Sequence, residues 1–513
     1  MSLSKTLIKN ALSNYTGFAV TAVVGLLISP IVLHHLGKVA FGLWVLFQTL
    51  FGYFGLLDLG LGTSVVKYIS EFKAKYEQNN IDTFGSTIFF TYIFLGILGM
   101  LLAFIFAPFV TKIFTIPFEY RHLAFDGMII GGLNFAIVFP MSLQINSLAG
   151  YQRYDLTNSI VIIRQITYAV SIIFLLKHGF GLLELFWLNF ILSIFTFLIS
   201  FYLVVLKHKF IHYHLNLFSF SMLKKAYKYS IFAFLNSLAS QGLLNIGNLV
   251  IGTVLGVEFI AFYALANKIS SIMGQTISSV AGISLPAFSA LWAIHDKEKI
   301  RLTYLEIVRA VLLISLPVSM VVIVFSDTIL KIWVGSGYHL AALSLILLTI
   351  VLFMNNFLGY ITTIFLFGIG KPKLISIVNG IAAITNIILA INLTKLIEIK
   401  FGHGYGVLGI PIALGLTMGS VDIFFLPWYV NKLINLPYRQ YLKLFIKPFL
   451  LIIPATMLAL LIRHYYLPYK LFVFVLESAI IGFFYWGLYY LFGLSKDEKT
   501  RYMGYVKQLV KKN

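Results

Sequence analysis

The sequence predicts an all-α polytopic membrane protein of about 14 transmembrane helices: two six-helix parallel-repeat lobes around a central cavity, plus two extra C-terminal helices. Three observations carry this prediction. Of 513 residues, 60% are hydrophobic and only 11% charged, and the mean hydropathy is +0.93, whereas a water-soluble chain is about 25% charged. The apolar residues form continuous runs of roughly 20, the length of a membrane-crossing helix, and not the alternating ten-residue segments of a membrane barrel. Three corner motifs also recur along the chain at nearly one spacing.

The runs fall at 11–33, 41–66, 84–107, 125–148, 158–176, 183–206, 230–254, 260–288, 304–326, 341–367, 374–394, 405–428, 447–464 and 471–493. The first is too long for the core of a signal peptide and has no small-residue cleavage site after it, so a retained helix is expected. Lys and Arg are retained in cytoplasmic loops. With the N-terminus inside, and Lys447 and Arg463 at the edges of the thirteenth run counted with the adjoining segments, the inner segments hold 26 basic residues and the outer loops nine, which places both termini in the cytoplasm. The net charge of +20 is thus accounted for by topology and contact with anionic membrane lipid, not by nucleic acid. The expected divisions are a six-helix lobe at 1–206, a cytoplasmic loop at 207–229, a second lobe at 230–428, helices 13 and 14 at 429–493, and a basic tail at 494–513 lying on the inner surface.

The repeat shows in the turns. His178-Gly179-Phe180-Gly181 is answered by His403-Gly404-Tyr405-Gly406 at an offset of 225. Leu36-Gly37 is answered by Leu255-Gly256 at 219, and Gly150-Tyr151-Gln152-Arg153 by Gly368-Ile369-Gly370-Lys371 at 218. Six is an even number of crossings, so the second half enters the membrane in the same sense as the first, the arrangement of parallel-repeat transporters. Rocking two such halves gives alternating access.

Ionisable groups inside spans are costly and mark pathways or pairs. Asp58, in Leu57-Asp58-Leu59-Gly60, is too short to snorkel to the surface. It is either a coupling or gating acid or a carboxylate hydrogen-bonded to neighbouring helix ends. Lys268 and Arg164 either face a wet cavity or snorkel outward. Arg309 stands one turn beyond Glu306, the spacing of a helical ion pair. Gln241, Asn245 and Asn248 give the seventh helix one polar face, as a cavity-lining helix needs. Asp422, Asn189 and Asn355 are among further polar points read as interhelical hydrogen bonds.

Cysteine is absent, which excludes disulfides, thiol nucleophiles and Cys-ligated metals. No GxxxxGK[ST] loop and no HExxH occur. The clusters His34-His35 and His208, His212, His214 sit in turns without a ligand set. No cofactor, metal or enzymatic activity is expected.

The stretch Leu27 to Glu71, with LHHLGKVAFGLW and LLDLGLG, resembles the opening of a Wzx-type polysaccharide flippase. Gly150-Tyr151-Gln152-Arg153-Tyr154 and Asn248 through Tyr263 are similar to that family's fourth inner corner and its seventh-to-eighth hairpin; where Asn248 stands, family members often carry Asp. The resemblance implies a multi-pass protein of the bacterial cytoplasmic (inner) membrane that moves an undecaprenyl-diphosphate-linked oligosaccharide to the outer leaflet. Such flippases belong to a superfamily with multidrug extruders and lipid II flippases. On that reading Arg164, Lys268 and Arg309 are the cations for the diphosphate and Asp58 the coupling acid. Membrane lipids, a polysaccharide polymerase and a chain-length regulator are the implied partners. A cation-coupled drug antiporter, a lipid II flippase and a non-transporting membrane scaffold are the alternatives.

Overall fold

The computed structural model describes residues 3–282, 284–465, 470–494 and 498–500. Among these every regular element is helical, and eleven helices are long and apolar enough to cross a membrane. The residues form two compact units, Met1–Ala264 with Asn379–Val407, and Leu265–Val378 with Leu408–Asn513.

The first unit contains α1 (Leu3–Phe54), α2 (Leu61–Ala74), α3 (Gln78–Ile113), α4 (Arg121–Gly150), α5 (Tyr154–Lys177), α6 (Leu182–Phe201), α7 (Phe220–Leu244), α8 (Ile246–Val254) and the start of α9 (Val257–Gly282). The two expected spans at 11–33 and 41–66 appear as α1, which breaks at Gly37 (φ 79°, ψ 175°), a conformation open to a residue without Cβ. The second of them is not continuous to residue 66: it ends in the 3₁₀ turn Gly55–Asp58, and left-handed Leu59 and Gly60 lead into α2. The expected seventh span is likewise two helices, α7 and α8, meeting at Asn245. Helices α7 and α9, 25 and 26 residues long, fall outside the eleven; their apolar runs carry Asn236 and Gln241, and Asn267, Lys268 and Gln275. The tally of fourteen is therefore approximate.

Small residues let α3 and α4 lie close, as membrane helices require where no hydrophobic force drives them together. A Cβ at Gly96 would stand 2.9 Å from the Phe135 carbonyl oxygen. At one end of the unit the connections are sewn together. Ser70 Oγ donates to Gly150 O at 2.7 Å, Lys73 Nζ to Tyr151 O at 3.0 Å, and Tyr151 Oη to Phe210 O at 2.9 Å. Asp82 accepts from the His212 N–H at 2.9 Å, and Tyr213 Oη donates to Gln144 at 3.0 Å. The segment after α6 is thus fastened to α3 and α4 and does not hang free. At the opposite end Thr115 N donates to Gly252 O at 2.9 Å, and Glu398 accepts from the N–H groups of Gly404 and Gly406 at 3.0 Å.

The second unit contains the rest of α9, α10 (Leu285–Ala293), α11 (Lys297–Val324), α12 (Ser326–Val334), α13 (His339–Met354), α14 (Ile361–Gly368), the start of α15 (Pro372–Phe401), α16 (Gly409–Gly419), α17 (Leu426–Leu433), α18 (Tyr438–Tyr465) and α19 (Leu471–Leu488). Its core gathers Phe288, Tyr304, Phe365, Tyr441 and Tyr485. The last two helices are anchored to α11: Arg463 donates to Val324 O at 2.7 Å and the Trp486 indole to Leu313 O at 2.9 Å. Two π-helical turns, Asn355–Tyr360 and Ser420–Phe425, interrupt the neighbouring helices. Of the expected tail, residues 495–497 and 501–513 lie outside the described residues.

The turns matched in the sequence share a backbone feature. Gly37 and Gly256 have φ of 79° and 131°, Gln152 and Gly370 of 60° and 75°, Gly179 and Gly404 of 80° and 90°. Both members of each pair have positive φ. At the second pair the same bond follows: Arg153 N donates to Leu148 O and Lys371 N to Leu366 O, both at 2.9 Å.

Candidate functional site

Asp58 closes the 3₁₀ turn that interrupts the second span. Its carboxylate accepts the Tyr92 hydroxyl of α3 and, at 3.4 Å, the Gly62 N–H at the start of α2. Tyr92 is fully buried and its hydroxyl also meets Ser142, to which Asn146 donates at 3.1 Å. A carboxylate at a helix start completes the unsatisfied N–H groups there. Of the two roles open to Asp58 from sequence, the hydrogen-bonded one is the arrangement seen; this leaves the coupling role to experiment. Replacing Tyr92 with Phe removes the donor to a charged group and should cost about 2 kcal/mol. A double-mutant cycle with Asp58→Asn, followed by thermal unfolding in detergent, should return a total well short of the sum of the single losses.

Arg164 lies on α5, about 15 Å along the helix from Tyr154 at 1.5 Å per residue. Its Nη2 donates to Asn189 Oδ1 at 2.7 Å and reaches Ser193 Oγ at 3.5 Å, both on α6. Its Nε is buried without a partner. Among the described residues no carboxylate pairs with it, so two neutral acceptors aim a full positive charge that they do not cancel.

The polar face of the seventh helix straddles the break at Asn245. Asn245 donates to Gln241, while Asn248 is buried and donates to Thr49 Oγ1 of α1 at 2.9 Å. The Gln241 carbonyl accepts Tyr53 Oη at 2.9 Å. This face is therefore tied to α1 within the first unit.

In the second unit Lys268 is half-buried on α9, and among the described residues its ammonium has no ion-pair or hydrogen-bond partner. Arg309 differs: it pairs with Glu498, beyond the last membrane helix. Asp422, buried in one π-helical turn, accepts Asn355 of the other at 2.6 Å. A Cβ at Gly359 would sit 2.3 Å from that carboxyl group. A cavity of about 400 Å³ between α11, α13 and α18 is lined by Leu316, Met320, Ile350, Phe353, Ile423 and Phe449. Its walls are mostly apolar, with Ser319 and Thr456 among them and no charged side chain.

Sequence reasoning missed Tyr92, Ser193 and Glu498. A Tyr or Ser in an apolar run carries no signal of its own, and Glu498 is far from Arg309 along the chain. Arg164 and Lys268, named from the sequence, have no ion-pair partner among the described residues.

The fold and these groups define a multi-pass helical membrane protein with buried polar and cationic sites and no recognisable catalytic constellation among the described residues. Solved structures with this fold include the lipid II flippase MurJ in an inward closed conformation (TM-score 0.72, 16% identity, 94% of this chain and 98% of that one). A multidrug resistance MATE transporter in an inward-facing conformation is also similar (TM-score 0.69, 18% identity, 79% and 93%). Residues 17–343 match the model of the polysaccharide biosynthesis protein family, and the chain belongs to that family. A Shigella flexneri protein named an O-antigen transporter is 22% identical over 83% of this chain and 98% of its own length. The membrane protein EpsK of Bacillus subtilis (strain 168) is 22% identical over 86% of each. The resemblance read from LHHLGKVAFGLW and LLDLGLG is borne out.

Proposed function

We propose that the protein is a flippase that carries an undecaprenyl-diphosphate-linked oligosaccharide from the inner to the outer leaflet of the bacterial cytoplasmic membrane by alternating access, with no covalent chemistry. The observation that carries this reading is the guanidinium of Arg164: held inside a span by Asn189 and Ser193, and not neutralised. A charge kept in a low-dielectric place at such cost is stabilised when an anion arrives. A diphosphate is such an anion; Lys268, also read from the sequence as an in-span cation, is taken to serve the same cargo. Sugars need hydrogen-bonding walls, which Gln241 and Asn245 supply. Membership of a polysaccharide biosynthesis family, and similarity to a protein named an O-antigen transporter, support the cargo class. The repeats 1–206 and 230–428 are the bodies whose access alternates. The ends bearing Lys67, Arg153 and the 207–229 loop face the cytoplasm on the count of basic residues, and so do both termini. A polymerase and a chain-length regulator would act on what is delivered.

The test is transfer of lipid-linked oligosaccharide across proteoliposomes containing the full chain, read by a lectin that reaches only one leaflet. Transfer well above protein-free vesicles is expected. Absence of transfer, with uptake of a cationic dye instead, would establish a drug antiporter; transfer restricted to lipid II would establish that competitor.

A further inference from the structure

Outside the buried site, the first unit carries a second cationic feature built on aromatic rings. Lys67, on α2 just past the expected end of its span, places its ammonium 4.7 Å from the Tyr68 ring centroid and 4.0 Å from that of Tyr229 on α7. Lys225, also on α7, stands 4.7 Å from the same Tyr68 ring and 5.0 Å from the Phe72 ring. Tyr68 and Phe72 are buried, and Tyr68 and Tyr229 meet edge to face at 6.0 Å. Both lysines are exposed.

A ring face attracts an ammonium but does not neutralise it. Two lysines that share one tyrosine therefore remain two charges, each 4.7 Å from the centre of the same ring. Glu71, the acid on this turn, is engaged elsewhere: it accepts from Lys75 at 2.8 Å. Its carboxyl group is held below the usual carboxylate range, first by the Lys75 hydrogen bond and then by the charges of Lys75, Lys225 and Lys67. Among the described residues neither Lys67 nor Lys225 has an ion-pair partner, and the exposed Lys224 and Lys228 add to the positive field. Two like charges are kept together where an anion of at least two charges comes between them.

We propose that Lys67 and Lys225, seated on Tyr68, Phe72 and Tyr229, form a docking site for the diphosphate of a polyprenyl-linked head group at the membrane surface, ahead of the buried site. A phosphodiester lipid brings one negative charge; a diphosphate brings two or more and matches the pair. Tyrosine rings with lysines at the end of a span are the furniture of the water–lipid boundary, so the ligand is anchored in lipid. The inference rests on the flippase reading for its cargo, not for its geometry.

The experiment uses the full chain in phosphatidylcholine nanodiscs, where no lipid carries net charge, with geranylgeranyl diphosphate as probe and binding read by native mass spectrometry. The expected result is loss of affinity by about tenfold or more in Lys67→Gln/Lys225→Gln, since two charge contacts are removed. Lys67→Arg/Lys225→Arg should keep most of it, and Lys112→Gln, at the opposite end of the unit, should change nothing. Phosphatidylglycerol should compete at least about tenfold more weakly, having half the charge or less. Unchanged binding in the double Gln variant overturns the site. Equal competition by phosphatidylglycerol shows a general anionic-lipid contact, and equal binding of inorganic pyrophosphate shows a soluble-anion site; either overturns the commitment to a lipid-borne diphosphate. In proteoliposomes the double Gln variant should need more lipid-linked cargo for half-maximal transfer while the maximum holds. A wild-type chain that binds the probe through these lysines yet transfers nothing refutes the flippase reading and leaves the docking site standing.

Discussion

Neutralising Arg164 and Lys268 together, each to Gln, is expected to reduce polysaccharide export by about a hundredfold or more, because two charge-assisted contacts worth about 1.5–3 kcal/mol each are lost. Each single substitution should fall between this and wild type. Arg164 has the larger share, since its planar fork is already aimed: one Nη2 reaches Asn189 at 2.7 Å and Ser193 at 3.5 Å. Arg164→Lys should recover only part of the activity, because a single ammonium cannot both bond these acceptors and face a ligand in the same geometry. The measurement is surface polysaccharide per copy of membrane-inserted protein, with an epitope tag to count the copies. The role is wrong if the double variant exports at the wild-type level. By contrast, Arg309→Gln should leave export nearly intact, because Glu498 already takes up its charge.

The second large effect is on stability. Gly42→Ala should cost about 3 kcal/mol, the upper part of the range for overpacking a filled interior. A Cβ at this position would lie 1.8 Å from the Val257 carbonyl oxygen. That atom is backbone, and its residue is fixed through its N–H to Thr115 O at 3.2 Å, so no rotamer change relieves the clash. Apparent Tm in detergent should fall by several degrees, on the order of 2–4 °C per kcal/mol for a unit of this size. Gly380→Ala is the matched control. It sits inside α15 with open space where the methyl group would go, and the smaller backbone entropy of Ala should make it neutral or slightly stabilising. Equal behaviour of the two variants would mean that Gly42 is not held against the backbone of Val257.

How far the site was legible follows from what each residue type announces. A charge in an apolar run is conspicuous because the bilayer penalises it, so Asp58, Arg164, Lys268 and Asp422 stand out in one dimension. Their partners do not. Tyr92 is one of many aromatic residues, and only the packing of α3 against the break after Asp58 turns its hydroxyl into a donor. Lys67 and Lys225 were counted as loop charges; that they share one ring depends on α2 and α7 meeting.

Composition and run length alone determined that this chain is a bundle of membrane-spanning helices, because burying backbone polar groups in lipid leaves few other solutions. The matching turns were also legible there, since a positive φ favours Gly: Gly179 and Gly404 have φ of 80° and 90°. Tertiary structure decided where helices break and which charges are neutralised. The second span breaks at Asp58, whose carboxylate takes the Tyr92 hydroxyl of α3, and the seventh at Asn245, where the Gln241 carbonyl takes Tyr53 and Asn248 reaches Thr49, both of α1. Arg309 is paired with a residue 189 positions away, a pairing set by distance in space and invisible to spacing along the chain.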